Sequence, residues 1–297
     1  MADLSNDAFE ERFFTAPDGL RLHARVYGAC HVHTAPPVVC LPGLTRNARD
    51  FHGLAMHLSR EARHPRAVAV FDYRGRGRSA YDRNWKNYDV VTETADLMAG
   101  MAALGIERAA FVGTSRGGLI LFALAAARPA AIDAVVLNDI GPVIEGTGLA
   151  QIRAFLERAP KPRSFEEAAT IVKSAYGAAF TALGADDWDR MARAIYREEN
   201  GRPVADHDPN LLKTLKGIDF DRPLPVFWPQ FTGLCGVPLM AIRGENSTLL
   251  SAGTLAEMAS RHPSAETVTV AGQGHAPMLD TAGLPNRIEA FLDRAGR

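Results

Sequence analysis

The sequence predicts an α/β fold: a doubly wound, mostly parallel sheet with a helical cap inserted into it. Short apolar runs alternate with segments of helical spacing over the first 142 residues, as in consecutive strand–helix–strand units. The alternation stops after Pro142 and returns at Val237, and the residues between these points show helical spacing only. The chain of 297 residues, 47% of them hydrophobic, is long enough for such a core and an inserted subdomain.

The strands are predicted from apolar runs that lie between turn residues. Two runs around Asp18-Gly19 indicate a hairpin. Five later runs contain no polar residue, which is typical of strands buried on both faces. The predicted strands are residues 11–16, 20–27, 37–41, 67–71, 109–112, 134–137, 237–242 and 267–270.

Helical spacing of apolar residues predicts the segments that connect these strands. The segment 91–104 has Thr92 as its predicted N-cap. The predicted helices of the core are residues 48–63, 91–104, 118–127 and 284–292. We therefore expect a core of residues 1–142 and 231–297, with residues 143–230 as the helical cap.

The composition argues against several classes of protein. With 33 Lys and Arg against 34 Asp and Glu, the net charge is −1, and no basic run indicates a nucleic-acid partner. The longest apolar run, 119–127, is too short to span a bilayer, and the N-terminus has no signal-peptide pattern. The spacing of Cys30, Cys40 and Cys235 suits neither a disulfide framework nor a zinc site. We expect a cytoplasmic protein without metal, nucleic-acid or membrane partners; the sequence leaves a homodimer open.

The stretch Gly113-Thr-Ser-Arg-Gly117 places one serine between two glycines where a predicted strand becomes a helix. This is the G-x-S-x-G pattern of a nucleophile on a sharp, strained turn. The glycines remove side chains that would clash there, and the N-terminus of the next helix favours a developing anion. Ser115 is therefore the predicted nucleophile; the alternative is an ordinary glycine-rich turn.

A serine nucleophile needs a base, and His275 is the predicted one. Among nine histidines it is the one in a glycine-flanked loop after a predicted strand, Gly272-Gln-Gly-His275. The other histidines fit surface or packing roles; His23, for example, is expected to be solvated.

A developing oxyanion needs hydrogen-bond donors, and two backbone amides are predicted to supply them. These are the amide of Leu44, in the loop Leu41-Pro-Gly-Leu44 after a buried strand, and the amide of Arg116. The alternative for Pro42-Gly43 is a simple turn. The Arg116 side chain either binds a substrate carboxylate or pairs with a neighbouring acid.

Together these motifs resemble the α/β-hydrolase fold family, and within it the bacterial carboxylesterases and enol-lactonase-like hydrolases. The resemblance implies a Ser–His–acid triad, an acyl-enzyme intermediate and no cofactor. It spans residues 35–277 in the family's order. The matching motifs are Leu41-Pro-Gly-Leu44, Asp72-Tyr-Arg-Gly-Arg-Gly-Arg-Ser79, Gly113-Thr-Ser-Arg-Gly-Gly118, Arg243-Gly-Glu245 and Gly272-Gln-Gly-His275.

The acid is the point at which this chain departs from the resembled branch. There an Asp usually lies three or four residues past the glycine of the Arg-Gly motif, but here Ser247 and Thr248 occupy those positions. Asp139, at the end of the preceding strand, is the first choice for the acid, and Glu245 is the fallback. Two alternatives stay open: no carboxylate partner at all, or a purely structural Asp139 that caps the turn into the inserted segment.

The sequence therefore predicts a serine hydrolase that cleaves a small carboxylic ester or lactone, with the helical cap burying the acyl group. One alternative is hydrolysis of a C–C bond in a ring-cleavage product by the same triad. Another is a weakly catalytic ligand-binding or sensor protein, which the neutral Ser247 and Thr248 leave possible.

Overall fold

A computed structural model describes residues 8–28, 35–220, 222 and 224–296. Its main feature is a sheet of eight strands in the order β1-β2-β4-β3-β5-β6-β9-β10. The strands of the described chain are β1 (Glu10–Thr15), β2 (Arg21–Tyr27), β3 (Val38–Leu41), β4 (Val68–Asp72), β5 (Ala109–Thr114), β6 (Ile132–Asn138), β7 (Tyr196–Glu199), β8 (Arg202–Ala205), β9 (Leu239–Gly244) and β10 (Ala265–Val270).

From β4 to β10 the neighbouring strands of the sheet run parallel, whereas β2 is antiparallel to both β4 and β1. The predicted doubly wound, mostly parallel α/β sheet is confirmed. Strand β3 is fully buried along its length and β10, at the sheet edge, alternates between buried and exposed residues. Burial on both faces is the reason that the parallel strands β3 and β4 contain almost no polar residue.

The helices of the described chain are α1 (His52–Met56), α2 (Val90–Ala103), α3 (Arg116–Ala127), α4 (Gly146–Arg158), α5 (Phe165–Tyr176), α6 (Ala185–Ile195), α7 (Leu212–Lys216), α8 (Trp228–Thr232), α9 (Ala252–Arg261) and α10 (Leu284–Ala295). Helices α2, α3 and α9 pack on one face of the sheet. Helices α1 and α10 pack on the other. The sheet is thus covered on both sides, as a doubly wound fold requires.

Two helix predictions need correction in detail. The predicted helix 48–63 is a series of short turns: a 3₁₀ turn at Ala48–Phe51, then α1, then a π turn at His57–Glu61. The N-cap of α2 is Asp89 and not Thr92, because the Asp89 carboxylate accepts the amides of Val91 and Thr92 at 2.8 and 3.0 Å. Thr92 lies inside the helix, where its hydroxyl donates to Asp89.

The segment 143–230 contains helices α4 to α7 and the start of α8, but the expectation that it lacks strands is wrong. Strands β7 and β8 form an antiparallel hairpin. Asn200 and Gly201 make its two-residue turn with φ values of 51° and 74°. Asn-Gly is the preferred pair for a turn in which both central residues have positive φ, so the signal was present in the sequence.

No helix in the described part of the chain is long and apolar enough to cross a membrane. Within the same residues, no group of three or more His, Cys, Asp or Glu side chains is arranged to hold a metal ion. Cys40 is buried and Cys235 is partly exposed, both as free thiols, while Cys30 lies outside the described residues.

Candidate active site

Ser115 lies on a strained turn between β5 and α3. Its backbone has φ 51° and ψ −110°, a region that residues other than glycine rarely occupy. The turn is held by the Ser115 amide, which donates to the Asn138 carbonyl of β6 at 3.0 Å. Strain of this kind is concentrated at functional sites because the surrounding structure must enforce it.

The two glycines of the motif are required by close backbone contacts. A Cβ at Gly117 would lie 2.2 Å from the Leu41 carbonyl oxygen, and one at Gly113 would lie 2.8 Å from the carbonyl carbon of Gly117. A side chain at either position would push the helix away from the sheet. The two glycines of the G-x-S-x-G pattern are therefore needed because this turn leaves no room for a side chain at either position.

His275 lies in the loop after β10 and is held between two polar partners. Its Nε2 lies 3.0 Å from Ser115 Oγ, and its Nδ1 lies 2.7 Å from Asp139 Oδ2. The Asn138 side chain supports the loop through Nδ2, which donates to the Pro277 carbonyl at 3.0 Å. The imidazole is 14% exposed, so it is positioned by the protein and still accessible.

Asp139 follows β6 and its side chain is fully buried. Oδ1 accepts the Gly244 amide at 2.8 Å, and Oδ2 accepts both the Ser247 hydroxyl at 2.5 Å and His275 Nδ1. These donors offset the cost of burying a carboxylate and fix its direction toward the imidazole. Ser247, the neutral residue where the resembled branch carries its acid, thus supports the carboxylate that faces His275.

Glu245, the fallback for the acid, and Thr248, at a position where the resembled branch usually carries its acid, both point elsewhere. The Glu245 carboxylate accepts the Gly272 amide at 2.8 Å, which ties the β9 loop to the loop that carries His275. The Thr248 hydroxyl donates to Gln151 of α4 at 2.9 Å. Both residues are exposed, and the His275 ring is hydrogen-bonded to Asp139 instead.

Comparison with known proteins identifies the family. The model of the alpha/beta hydrolase fold family matches residues 36–282. The chain belongs to this family. The predicted resemblance is therefore confirmed, and the Ser115–His275–Asp139 arrangement lies on the fold for which it was expected.

Individual relatives of this alpha/beta hydrolase agree with that assignment. A crystal structure of an alpha/beta hydrolase from Novosphingobium aromaticivorans is 39% identical, with a TM-score of 0.88 and coverage of 97% of this chain and 99% of that one. A 3-hydroxybutyrate-oligomer hydrolase from Cupriavidus necator is 30% identical over 81% of this chain and 82% of its own. Esterase YbfF from Escherichia coli is 26% identical over 86% of this chain and 92% of its own. The family and these names support a hydrolase.

The loop expected to supply one oxyanion donor lies beside the serine. A Cβ on Gly43 would be 3.9 Å from the Ser115 Cβ. The Leu44 carbonyl, in turn, accepts a hydrogen bond from Arg76 Nε at 2.7 Å. Within the described residues, the amides of Leu44 and Arg116 donate to no other group and are free for a ligand.

The Arg116 side chain pairs with a neighbouring acid, the second of the two roles considered for it. Its Nε donates to Glu93 at 2.7 Å and its Nη2 to the Tyr88 carbonyl at 3.1 Å. Glu93 is fully buried on α2 and also accepts from Arg76. One buried carboxylate is thus shared by two arginines.

The inserted segment packs against both loops of the site. Its Ala179 carbonyl accepts from the Asn246 side chain at 3.0 Å, and its Ala182 amide donates to the Gly272 carbonyl at 3.1 Å. Its Ala194 carbonyl accepts from the buried Asn47 side chain at 2.9 Å, on the loop that contains Leu44. Residues 179–194 therefore contact the His275 loop and the Leu44 loop.

Sequence reasoning did not find several residues that shape the site: Ser247, Asn138, Arg76 and Glu93. Ser247 was noted only for its lack of charge. Arg76 lies in the Asp72–Ser79 motif, which carried the family resemblance but was given no role in the site. A glutamate in the first turn of a helix gave no sign that Glu93 is buried between two arginines.

Proposed function

We propose that this alpha/beta hydrolase cleaves carboxylic esters or lactones through an acyl-enzyme, with Ser115 as nucleophile, His275 as base and Asp139 as the acid of the triad. The observation that supports this most is the continuous hydrogen-bonded series Ser115 Oγ–His275 Nε2 and His275 Nδ1–Asp139 Oδ2, at 3.0 and 2.7 Å. Nucleophile and base within hydrogen-bond reach, with the base oriented by a third group, is the arrangement for activating a serine.

In the proposed reaction, Ser115 Oγ attacks the carbonyl carbon while His275 Nε2 takes the hydroxyl proton. The carbonyl oxygen becomes an oxyanion that the amides of Leu44 and Arg116 stabilise by hydrogen bonds. As the tetrahedral intermediate collapses, the bond to the leaving oxygen breaks and His275 protonates that oxygen. Asp139 keeps the proton of Nδ1 on the ring throughout and stabilises the imidazolium.

The second half of the reaction releases the acid. A water molecule gives a proton to His275 Nε2 and attacks the acyl-enzyme carbonyl carbon, forming a second oxyanion in the same position. Collapse breaks the ester bond to Ser115, whose oxygen recovers the proton from His275. The enzyme returns to its starting state without a cofactor.

For the substrate, we propose oligomers of 3-hydroxybutyrate as the first ester to test. The support is the relative of that name, which is 30% identical over 82% of its length. Such an oligomer joins hydroxyl and carboxyl groups by ester bonds, which the proposed mechanism cleaves. We further propose that residues 143–230 form a lid over a core of residues 1–142 and 231–297, on the basis of the contacts of residues 179–194 with both loops of the site.

The direct test is a panel of p-nitrophenyl esters of increasing acyl length, together with the 3-hydroxybutyrate dimer. Wild type, Ser115→Ala and Ser251→Ala are compared. Ser251 is a matched control because it also lies at the start of a helix, where its Oγ accepts the Thr254 amide. Turnover by wild type and Ser251→Ala, lost in Ser115→Ala, supports the proposal. Turnover that survives in Ser115→Ala contradicts it, and ligand binding without turnover in the wild type supports the sensor alternative.

A further inference from the structure

The buried Glu93 carboxylate is linked by hydrogen bonds to both residues that carry the proposed oxyanion donors. The link to Arg116 is direct, and the link to Leu44 runs through Arg76. Glu93 of α2 is fully buried; its Oε1 accepts from Arg76 Nη1 at 2.6 Å and its Oε2 from Arg116 Nε at 2.7 Å. Arg116 carries one of the two amides. Arg76 holds the residue that carries the other, because its Nε donates to the Leu44 carbonyl at 2.7 Å.

We propose that Glu93 is a positioning residue that fixes the spacing of the two oxyanion-hole amides, acting through Arg76 on one side and Arg116 on the other. This inference rests on the proposed function, because it presumes that an oxyanion forms between Leu44 and Arg116.

The rigidity of the two guanidinium groups makes such a connection effective. A guanidinium is planar and its donors have fixed directions, so holding two of them determines the third. In Arg76, Nη1 is held by Glu93 and by the Arg74 carbonyl at 2.6 Å, which directs Nε at Leu44. In Arg116, Nε is held by Glu93 and Nη2 by the Tyr88 carbonyl.

Charge makes Glu93 hard to replace in this position. Arg76 is fully buried, and burial lowers the pKa of its guanidinium while the Glu93 charge opposes that shift. A neutral amide at position 93 would leave two cations facing each other with no shared anion. It would also turn one NH₂ group toward an arginine donor. We therefore expect the arginines to separate and the two amides to lose their spacing.

The same helix provides a buried ion pair that serves as a control. Asp96, 3% exposed, accepts two hydrogen bonds from Arg74, Nε to Oδ2 and Nη2 to Oδ1, both at 2.7 Å. This pair contacts neither Leu44 nor Arg116 through its side chains. Arg74 supports Arg76 only through its backbone carbonyl, and its side chain also pairs with Asp18 and Asp82, which remain when Asp96 is replaced. Loss of the Asp96 charge therefore reports what a broken buried pair on α2 does to stability while Arg74 stays paired.

The experiment compares Glu93→Gln with Asp96→Asn for thermal stability, kcat, KM and inhibition by an alkylboronic acid. Boronic acids form a tetrahedral adduct with a serine nucleophile, so their binding depends on the oxyanion donors. We expect both variants to have a lower Tm. For Glu93→Gln we expect kcat to fall roughly 10- to 100-fold, part of the 10²–10³ that one oxyanion donor supplies. KM should change little, the boronate should bind more weakly by a factor similar to the loss in kcat, and Asp96→Asn should leave kcat and boronate binding unchanged.

Folded Glu93→Gln with wild-type kcat and boronate binding contradicts the inference, as does an equal loss of kcat in Asp96→Asn. If Glu93→Gln does not fold, Glu93→Asp decides the matter. It keeps the charge but is one methylene too short to reach both arginines, so a loss of kcat at unchanged KM supports the inference and unchanged kcat contradicts it. Failure of the proposed function is recognised separately, because turnover would then not depend on Ser115 in the otherwise unmodified chain.

Discussion

Two His–Asp pairs in this protein have the same Nδ1–Oδ2 distance, but of the two only His275 has its Nε2 beside a serine hydroxyl. Ser79 lies beside the other pair, where its Oγ accepts the backbone amide of His23 and not a hydrogen bond from the ring. His275 Nδ1 and His23 Nδ1 are each 2.7 Å from an aspartate Oδ2, of Asp139 and Asp72 respectively. The Nε2 of His275 lies 3.0 Å from Ser115 Oγ in a partly accessible ring. The Nε2 of His23 is buried and has no hydrogen-bond partner among the described residues, and the ring is fully buried.

The carboxylates of the two pairs are also used differently. Asp72 accepts the backbone amides of Ala48 and Arg78, at 2.7 and 3.0 Å, and so connects the segment after β3 to the loop after β4. Asp139 directs its remaining oxygen contacts to the Gly244 amide and the Ser247 hydroxyl, which orient it toward His275. A His–Asp pair is therefore not in itself a catalytic feature. Access to Nε2 and a nucleophile beside it distinguish the two.

The largest expected effect follows from removing the nucleophile. In Ser115→Ala we expect kcat for an ester substrate to fall by roughly 10⁴- to 10⁶-fold, because the attack on the carbonyl is lost and the oxyanion donors alone remain. Steady-state kinetics with p-nitrophenyl butyrate measures this. A residual rate within tenfold of wild type would place the nucleophile elsewhere.

Exchanging the aspartates tests the difference between the two pairs directly. We expect Asp139→Asn to lower kcat by roughly 10⁴-fold with little change in KM, because an amide at this position favours the wrong imidazole tautomer. In Asp72→Asn we expect a lower Tm and a much smaller loss of kcat than in Asp139→Asn, because that carboxylate holds loops and does not orient the catalytic base. Kinetics and thermal melts of both variants check this. Equal kcat losses in the two would mean that the pairs do not differ in function.

A smaller effect is expected at Ser247, which helps to orient Asp139. In Ser247→Ala the Asp139 carboxylate loses a 2.5 Å hydrogen bond. We expect kcat to fall by roughly tenfold, because Ser247 acts on the base only through Asp139. The adjacent Thr248→Ala is the control, since Thr248 contacts Gln151 instead. Wild-type kcat in Ser247→Ala would show that the other contacts suffice to position Asp139.

A third histidine, His207, should affect stability alone. Its Nδ1 is buried and has no hydrogen-bond partner among the described residues. Burial, reinforced by the positive charges of Arg76 and Arg46, lowers the pKa of His207 to about 4. Between pH 6.5 and 4 the unfolded chain takes up this proton and the folded chain does not, so stability falls with falling pH. The slope contributed is up to about 1.4 kcal/mol per pH unit.

Urea unfolding at several pH values checks this. In His207→Gln we expect the free energy of unfolding to change less with pH between pH 6.5 and 4, because the contribution of His207 is lost. The exposed His64, in His64→Gln, is the control and should keep it. Identical slopes in wild type and His207→Gln would show that His207 takes up its proton in the folded state as well.

The sequence was sufficient where the relevant constraint is local. The turn at Ser115 requires glycines two residues to either side, and this requirement is visible in the chain. Asp139 could be selected because consecutive parallel strands are usually neighbours, which places the end of β6 beside β5.

The sequence was insufficient where side chains distant in the chain meet. His23 was expected to be solvated, but it is fully buried, where it contacts Asp72 and the ring of Phe13 at 5.0 Å between centroids. The Arg76–Glu93–Arg116 contacts depend on where α2 lies against the turns at the ends of β4 and β5. Neither spacing nor composition carries that information.

The most direct test of the proposed triad is labelling by a fluorophosphonate, followed by peptide mass spectrometry, in wild type, His275→Gln and His23→Gln. We predict a single adduct on Ser115 that forms rapidly in the wild type and in folded His23→Gln, and slowly in His275→Gln. An adduct on another residue, no adduct in the folded wild type, or equal labelling rates in wild type and His275→Gln would contradict the assignment of Ser115 and His275 as nucleophile and base.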